Sequence, residues 1–129
     1  MNLVINRAEL YGTDAHENFF VGWPTKPSYK LVKSHFANAE SILAIQGDEI
    51  TGFITALTDK SLFAFIPLLE VRPEFQHRGI GTSLVSAMEL HLGELYGIDL
   101  VCDPDLISFY KTHGFLELSG MVKRNPKAL

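Results

Sequence analysis

The sequence predicts a mixed α/β domain, and three observations carry that expectation. Short apolar runs at residues 41–46, 50–57 and 62–71 are separated by tight-turn residues, the pattern of antiparallel hairpins. A long segment, 79–96, repeats its apolar residues at helical spacing. A second apolar run at 98–102 follows it at once, which makes a strand-helix-strand unit. The 129 residues fit one domain, 1–129, and 47% hydrophobic content is enough for a real core.

Each element has its own signal. Residues 3–5 are a short β-prone start. Thr13 or Asp14 can cap a helix through Phe20, because a side-chain oxygen there accepts from an unpaired amide of the first turn. Gly22-Trp23-Pro24 ends that helix, and Pro24 and Pro27 stiffen the following loop. Ser28 caps a second helix to about residue 38, with Leu31, Val32, His35 and Phe36 on one side. Gln46-Gly47-Asp48 turns one hairpin and Thr58-Asp59-Lys60 the next. Gly52 marks a bulge or a close approach.

Residues 62–71 are apolar enough for a central strand buried on both faces. Pro67 cannot donate to a ladder, so a bulge or local break is expected beside it. In the helix over 79–96, Ile80, Leu84, Val85, Met88, Leu92 and Leu95 share a face and Gly97 is the expected C-cap. Asp103 before Pro104 is the usual start of a helix, expected to end at His113-Gly114. Residues 115–118 and 121–124 can form a last pair of strands.

Composition narrows the function. A net charge of −4 offers no basic excess for nucleic acid or an anionic membrane. Cys102 is the only cysteine, so no internal disulfide can form, which suits a reducing cytoplasm. No signal peptide is visible, and no run approaches the roughly 18 apolar residues of a membrane span. No metal site is expected.

The chemistry concentrates at Gln76-His77-Arg78-Gly79-Ile80-Gly81. The first amides of a helix lack internal partners and sit at the positive end of its dipole, where an anion can bind. Gly79 and Gly81 remove β-carbons that would hold phosphates away. His77 and Arg78 either add charge or border the site, and Thr82 can supply a hydroxyl or one more amide. By spacing alone the same glycines also fit a strand-to-helix turn with no ligand. The pattern is not a Walker loop, which needs a lysine and a four-residue spacer. It lacks the third glycine of a dinucleotide fingerprint.

Two stretches resemble the GNAT superfamily of acyl-coenzyme A-dependent N-acyltransferases. One is Leu69-Glu70-Val71-Arg72-Pro73-Glu74-Phe75 followed by Gln76 to Gly81; the other is Phe109-Tyr110-Lys111-Thr112-His113-Gly114-Phe115. The resemblance implies a central, mostly antiparallel twisted sheet, splayed after its fourth strand and flanked by about four helices. It implies that the backbone of Leu69, Glu70 and Val71 pairs with the pantetheine arm of acetyl-CoA, and that Pro67 marks the splay. Gln76, His77, Arg78, Gly79, Ile80, Gly81 and Thr82 would hold the pyrophosphate. Tyr110 matches the tyrosine that protonates the departing thiolate.

Asp103 stands where many relatives place an asparagine beside the donor, although its spacing reads as a helix cap. The family's usual glutamate bases fall on Phe65 and near Ile98, both apolar, so the base does not carry over: Glu70 is a substitute only if it does not face a helix or a neighbouring strand, and a water chain is the alternative. Trp23, His35 and Glu70 are candidates for the acceptor pocket. The implied function is acetyl transfer from acetyl-CoA to an amine of a small molecule or protein. The alternative is a catalytically inactive coenzyme A-binding sensor. The family often forms homodimers.

Overall fold

The computed structural model covers residues 1–129. Five strands form one sheet in the order β1 (Asn2–Ile5), β2 (Glu40–Gln46), β3 (Glu49–Thr58), β4 (Phe63–Val71) and β5 (Gly97–Leu100). The first four are antiparallel neighbours, and β4–β5 is parallel. Four helices flank the sheet: α1 (Thr13–His16), α2 (Tyr29–Asn38), α3 (Ile80–Leu92) and α4 (Ile107–Lys111). This is the mixed, mostly antiparallel α/β architecture expected from the sequence.

The sheet separates two cores. On one face Ile42, Ala44, Ile54, Ala56 and Ile66 pack against Ile80, Leu84, Val85 and Met88 of α3 and Tyr110 of α4. On the other, Leu43, Ile50 and Phe53 meet Tyr11, Phe19, Phe20, Val32 and Phe36. The alternation along β2, Ile42 and Ala44 to one side and Leu43 to the other, is the period of two that a strand imposes.

Pro67 acts as anticipated. Thr55 pairs with Leu68 but Leu57 with Phe65, so β4 carries one extra residue opposite Ala56. Ile66 and Pro67 therefore form a bulge, and side-chain parity reverses across it. Pairing of β4 with β5 stops there: it runs from Phe63↔Gly97 to Ile66↔Leu100 and no further. Beyond Pro67, β4 has a neighbour on only one side, and the sheet is splayed. Beside Gly52, β3 also carries a register shift. A β-carbon on Gly52 would lie 2.9 Å from the Glu70 carbonyl oxygen and 3.2 Å from the Ile80 side chain. Gly52 is thus the close approach that lets β3, β4 and α3 meet.

Several boundaries differ from expectation. The first helix starts after Gly12 rather than on a Thr13 or Asp14 cap and stops at His16. Phe20 adopts a left-handed φ of 63°. Adjacent residues on a helix point about 100° apart, and leaving the helix lets Phe19 and Phe20 both enter one core. Leu31 is exposed rather than on the buried side of α2. Phe63 and Phe65 are exposed too, so β4 is not buried on both faces before its bulge. The long helix ends at Leu92, capped by Gly93 at φ 73°, and Gly97 instead begins β5, where a β-carbon would strike the Phe63 ring at 2.9 Å. Asp103 makes no side-chain cap; a 3-10 turn, Pro104–Leu106, precedes the short α4. The last strand pair does not form: residues 116–124 have no regular structure and no backbone hydrogen bond.

Gly52→Ala should lower stability by about 1–3 kcal/mol, because the obstruction includes backbone that cannot rotate away. Urea denaturation of both proteins measures it.

Candidate active site

The splay leaves a strip of main chain open. The Arg72 amide donates to the Thr51 carbonyl at 2.9 Å, so Arg72 and, by alternation, Glu70 turn their backbone groups toward β3. Leu69 and Val71 turn theirs toward the gap. The Val71 carbonyl confirms the direction, since it accepts from Gln76 Nε2 at 3.0 Å. Gln76 therefore ties the turn back to the strand. An extended ligand arm can add to this strip as a strand adds to a sheet edge.

The cradle lies at the end of that strip. The Gln76 amide donates to the Pro73 carbonyl, and the first helical bond of α3 runs from Ser83 to the Gly79 carbonyl at 3.0 Å. Between them, the amides of His77, Arg78, Gly79, Ile80, Gly81 and Thr82 donate to no protein acceptor. Two left-handed residues aim them, His77 at φ 63° and Gly79 at φ 84°. A left-handed non-glycine residue is strained, and such strain collects at functional sites. The Arg78 guanidinium lies 5.3 Å from the Phe75 ring centre and pairs with no carboxylate. Arg72 sits on the same ring but is engaged by Glu74 and Glu49. The cradle thus has one uncommitted cation and a row of free amides, which fits a pyrophosphate.

Helix α4 closes one side. A β-carbon on Gly81 would come 3.5 Å from the Phe109 ring and 4.0 Å from Val71, so Phe109 backs both cradle and strip. Tyr110, next in sequence, is buried among the α3-side core and lies edge-on to Phe115 at 5.7 Å. Burial, with a smaller contribution from Cys102, pushes its hydroxyl up to about 12. Tyr110 therefore keeps its proton throughout the neutral range. Cys102 is itself raised by burial and by the acidic groups around it, which disfavours its thiolate.

The other face of the strip belongs to Glu70. Its Oε1 accepts from the Phe20 amide at 2.9 Å. Burial raises its pKa, against the lowering pull of the Phe20 amide and the Trp23 side chain. Trp23 is partly exposed and edge-on to Phe20 at 5.1 Å. Glu70 and Trp23 thus come together as one wall. His35 stands apart: its Nε2 meets Thr55 Oγ1 at 2.8 Å beneath α2, and burial lowers its pKa. Asp103 is exposed beside the 3-10 turn.

Sequence reasoning missed the frame behind that wall. Tyr11 Oη pairs with His16 Nδ1 at 2.8 Å, and His16 Nε2 with the Pro27 carbonyl at 3.0 Å. The Phe20 amide is a main-chain contact 50 residues away from Glu70, and no side-chain pattern announces it.

The acetyltransferase (GNAT) family model matches residues 9–115. The chain belongs to that family. An uncharacterized N-acetyltransferase, ycf52, of Pyropia yezoensis is 31% identical over 104 residues, spanning 75% of this chain and 59% of its own. The chain therefore spans about three-fifths of the length of the curated relatives it matches. A Deinococcus radiodurans R1 protein, provisionally described as an acetyltransferase, superposes with a TM-score of 0.91 at 32% identity, over 98% of this chain and 89% of its own. A GNAT-family acetyltransferase of Streptococcus pneumoniae TIGR4 shares the fold, with a TM-score of 0.71 at 24% identity over 96% and 98% of the two chains. No helix is long and apolar enough to cross a membrane. No three His, Cys, Asp or Glu side chains gather to hold a metal.

The raised pKa of Glu70 has a stability consequence in this GNAT chain. A carboxyl easier to protonate when folded contributes stability that is full below the unfolded pKa, near 4.3. That contribution is lost as pH rises through the folded value. Glu70→Gln should flatten this limb of a denaturation-versus-pH series.

Proposed function

We propose that the chain is an acetyl-CoA-dependent N-acetyltransferase acting on a primary amine of a small molecule or a protein. The observation that carries the reading is the row of unpaired amides, His77 to Thr82, continuous with the open main-chain strip of Leu69 and Val71. Anions and an extended amide-bearing arm are the two chemistries this surface can satisfy together. Acetyl-CoA supplies both, with a thioester for transfer.

The residues divide the work. The amides of His77 to Thr82 and the Arg78 guanidinium hold the phosphates. Leu69 and Val71 align the arm, and a free amide of the strip donates to the carbonyl oxygen as charge develops there. An alkylamine with a pKa of about 10.4 arrives protonated. The carboxylate of Glu70 attracts it and accepts its proton through Oε2, since Oε1 is held by Phe20. Trp23 packs against its apolar part. Tyr110 donates a hydrogen bond to the departing sulfur. Full transfer from a phenol near 12 to a thiolate near 8.5 is uphill by about 5 kcal/mol. Tyr110 therefore stabilises the leaving group by hydrogen bonding more than by giving up its proton.

Isothermal titration should show saturable binding of acetyl-CoA, and Arg78→Glu should weaken it by about 10- to 100-fold. No heat at millimolar ligand would refute the donor assignment. Turnover, read as thiol release with an amine panel, should fall by about 10- to 100-fold in Tyr110→Phe at nearly unchanged donor KM. Donor binding without thiol release for any amine would instead identify a coenzyme A-binding sensor.

A further inference from the structure

His16 is a buried titratable side chain that touches none of the reacting groups. It ends α1, is 8% exposed, and has both ring nitrogens engaged. The Pro27 carbonyl can only accept, so Nε2, 3.0 Å away, carries the ring hydrogen. Nδ1 therefore accepts, and the Tyr11 hydroxyl at 2.8 Å donates to it. Burial raises the pKa of Tyr11, so that hydroxyl keeps its proton. The tautomer is fixed from both sides.

These bonds close a loop. Residues 17–27 leave α1, carry Phe20 and Trp23 past Glu70, and return to the start of α2. The outgoing leg is held locally: the Phe19 amide donates to the His16 carbonyl, and the Trp23 amide to the Phe20 carbonyl. The return leg has no such support. Residues 24–27 make no backbone–backbone hydrogen bond, and Pro24, Thr25 and Lys26 are exposed. The two hydrogen bonds this leg makes both end on His16. The ring donates to the Pro27 carbonyl, and Lys26 Nζ donates to the His16 carbonyl at 2.6 Å. The ring also packs on Phe20, with centres 5.8 Å apart. His16 thus touches both ends of the loop and the residue whose amide holds Glu70.

We propose that His16 is a positioning residue for acetyl transfer: its neutral ring clasps the return leg and so keeps the Phe20 amide and Trp23 on Glu70. The role in transfer rests on the acetyltransferase reading above; the clasp itself does not. A proton on Nδ1 undoes the clasp. Both nitrogens then donate, and the Tyr11 hydroxyl must turn its hydrogen into a core that offers it no other acceptor. The surrounding charges do not compensate. On the loop, Lys26 repels a second cation. From α2, Lys33 and the Tyr29 hydroxyl both donate to the Tyr11 carbonyl. Asp14 and Glu17, on and just after α1, are exposed and bond to neither nitrogen, and Glu70 of β4 is engaged by Phe20. Burial first, and then Lys26, hold His16 below the ordinary histidine range, against the raising pull of Pro27. The closed loop is therefore fully stabilised above the ordinary value of about 6.5, and that stabilisation is lost as pH falls through the lowered one.

Trp23 is the only tryptophan, so its fluorescence reports the loop in the full chain without any substrate. Emission and acrylamide quenching, followed from about pH 8 to about pH 5, should show a transition with a midpoint below about 6.5, and quenching should rise about twofold across it. His16→Gln, which presents an amide hydrogen to Pro27 and an oxygen to Tyr11, should keep the neutral-pH signal and remove that transition. A step belonging to Glu70 persists in this variant, so the comparison separates the two. With any amine that is turned over, His16→Ala should raise the acceptor KM by about tenfold at unchanged donor KM, and His16→Gln should restore it. A Trp23 profile that His16→Gln leaves unchanged overturns the proposal. So does a His16→Ala variant, folded by circular dichroism, whose two KM values match the parent's. A chain that turns over no amine overturns the role in transfer together with the acetyltransferase reading, and the fluorescence series then decides the clasp by itself.

Discussion

Backbone hydrogen bonds must be satisfied, and at Pro67 one of them cannot be made in the ordinary way. The bulge at Ile66–Pro67 absorbs an extra residue against β3 and ends the pairing with β5. From that point β4 holds its register on one side and exposes Leu69 and Val71 on the other. The cradle follows because the chain leaves β4 at Arg72 on a fixed bond to Thr51 of β3 and Gln76 ties back to Val71, which sets where α3 begins. Gly52 permits the close approach of β3, β4 and α3 that this start requires. Open strip, cradle and helix origin all descend from one interrupted ladder.

The strip has two faces with different chemistry, and the parity reversal at the bulge creates the difference. Leu69 and Val71 side chains turn toward the α3 core, where Phe109 and Tyr110 wait. Glu70 turns the other way, to Phe20 and Trp23. Without the extra residue, the carboxylate would face α3, where burial would be costly and no amide is offered. The same local defect thus opens the sheet and sends the one acidic side chain of β4 to the Phe20–Trp23 face.

Much of this was legible in the sequence, and the parts that were share a cause. Pro67 and Gly79 impose local constraints, a missing donor and a left-handed φ, so the bulge and the turn into α3 could be read directly. The hairpins were legible because Gly47 and the apolar runs flanking it act over a few residues. The illegible parts depend on distant partners. Helix α1 ends early because Phe19 and Phe20 share one core, and α3 ends at Gly93 although a helical pattern continues beyond it. Asp103 looks like a cap, yet the turn it precedes is 3-10. Residues 116–124 have strand-like composition, but their own sheet does not receive them. Glu70 was recognisable as acidic and central; that it is held by the Phe20 amide was not.

That hold on Glu70 has a wider consequence. The loop that carries Trp23 is also the loop whose Phe20 amide binds Glu70 and whose packing helps bury it. Any drift in this loop that moves Trp23 therefore also retunes the acidity of Glu70. Under the proposed function, the choice of amine and the pH range of action would be inherited together.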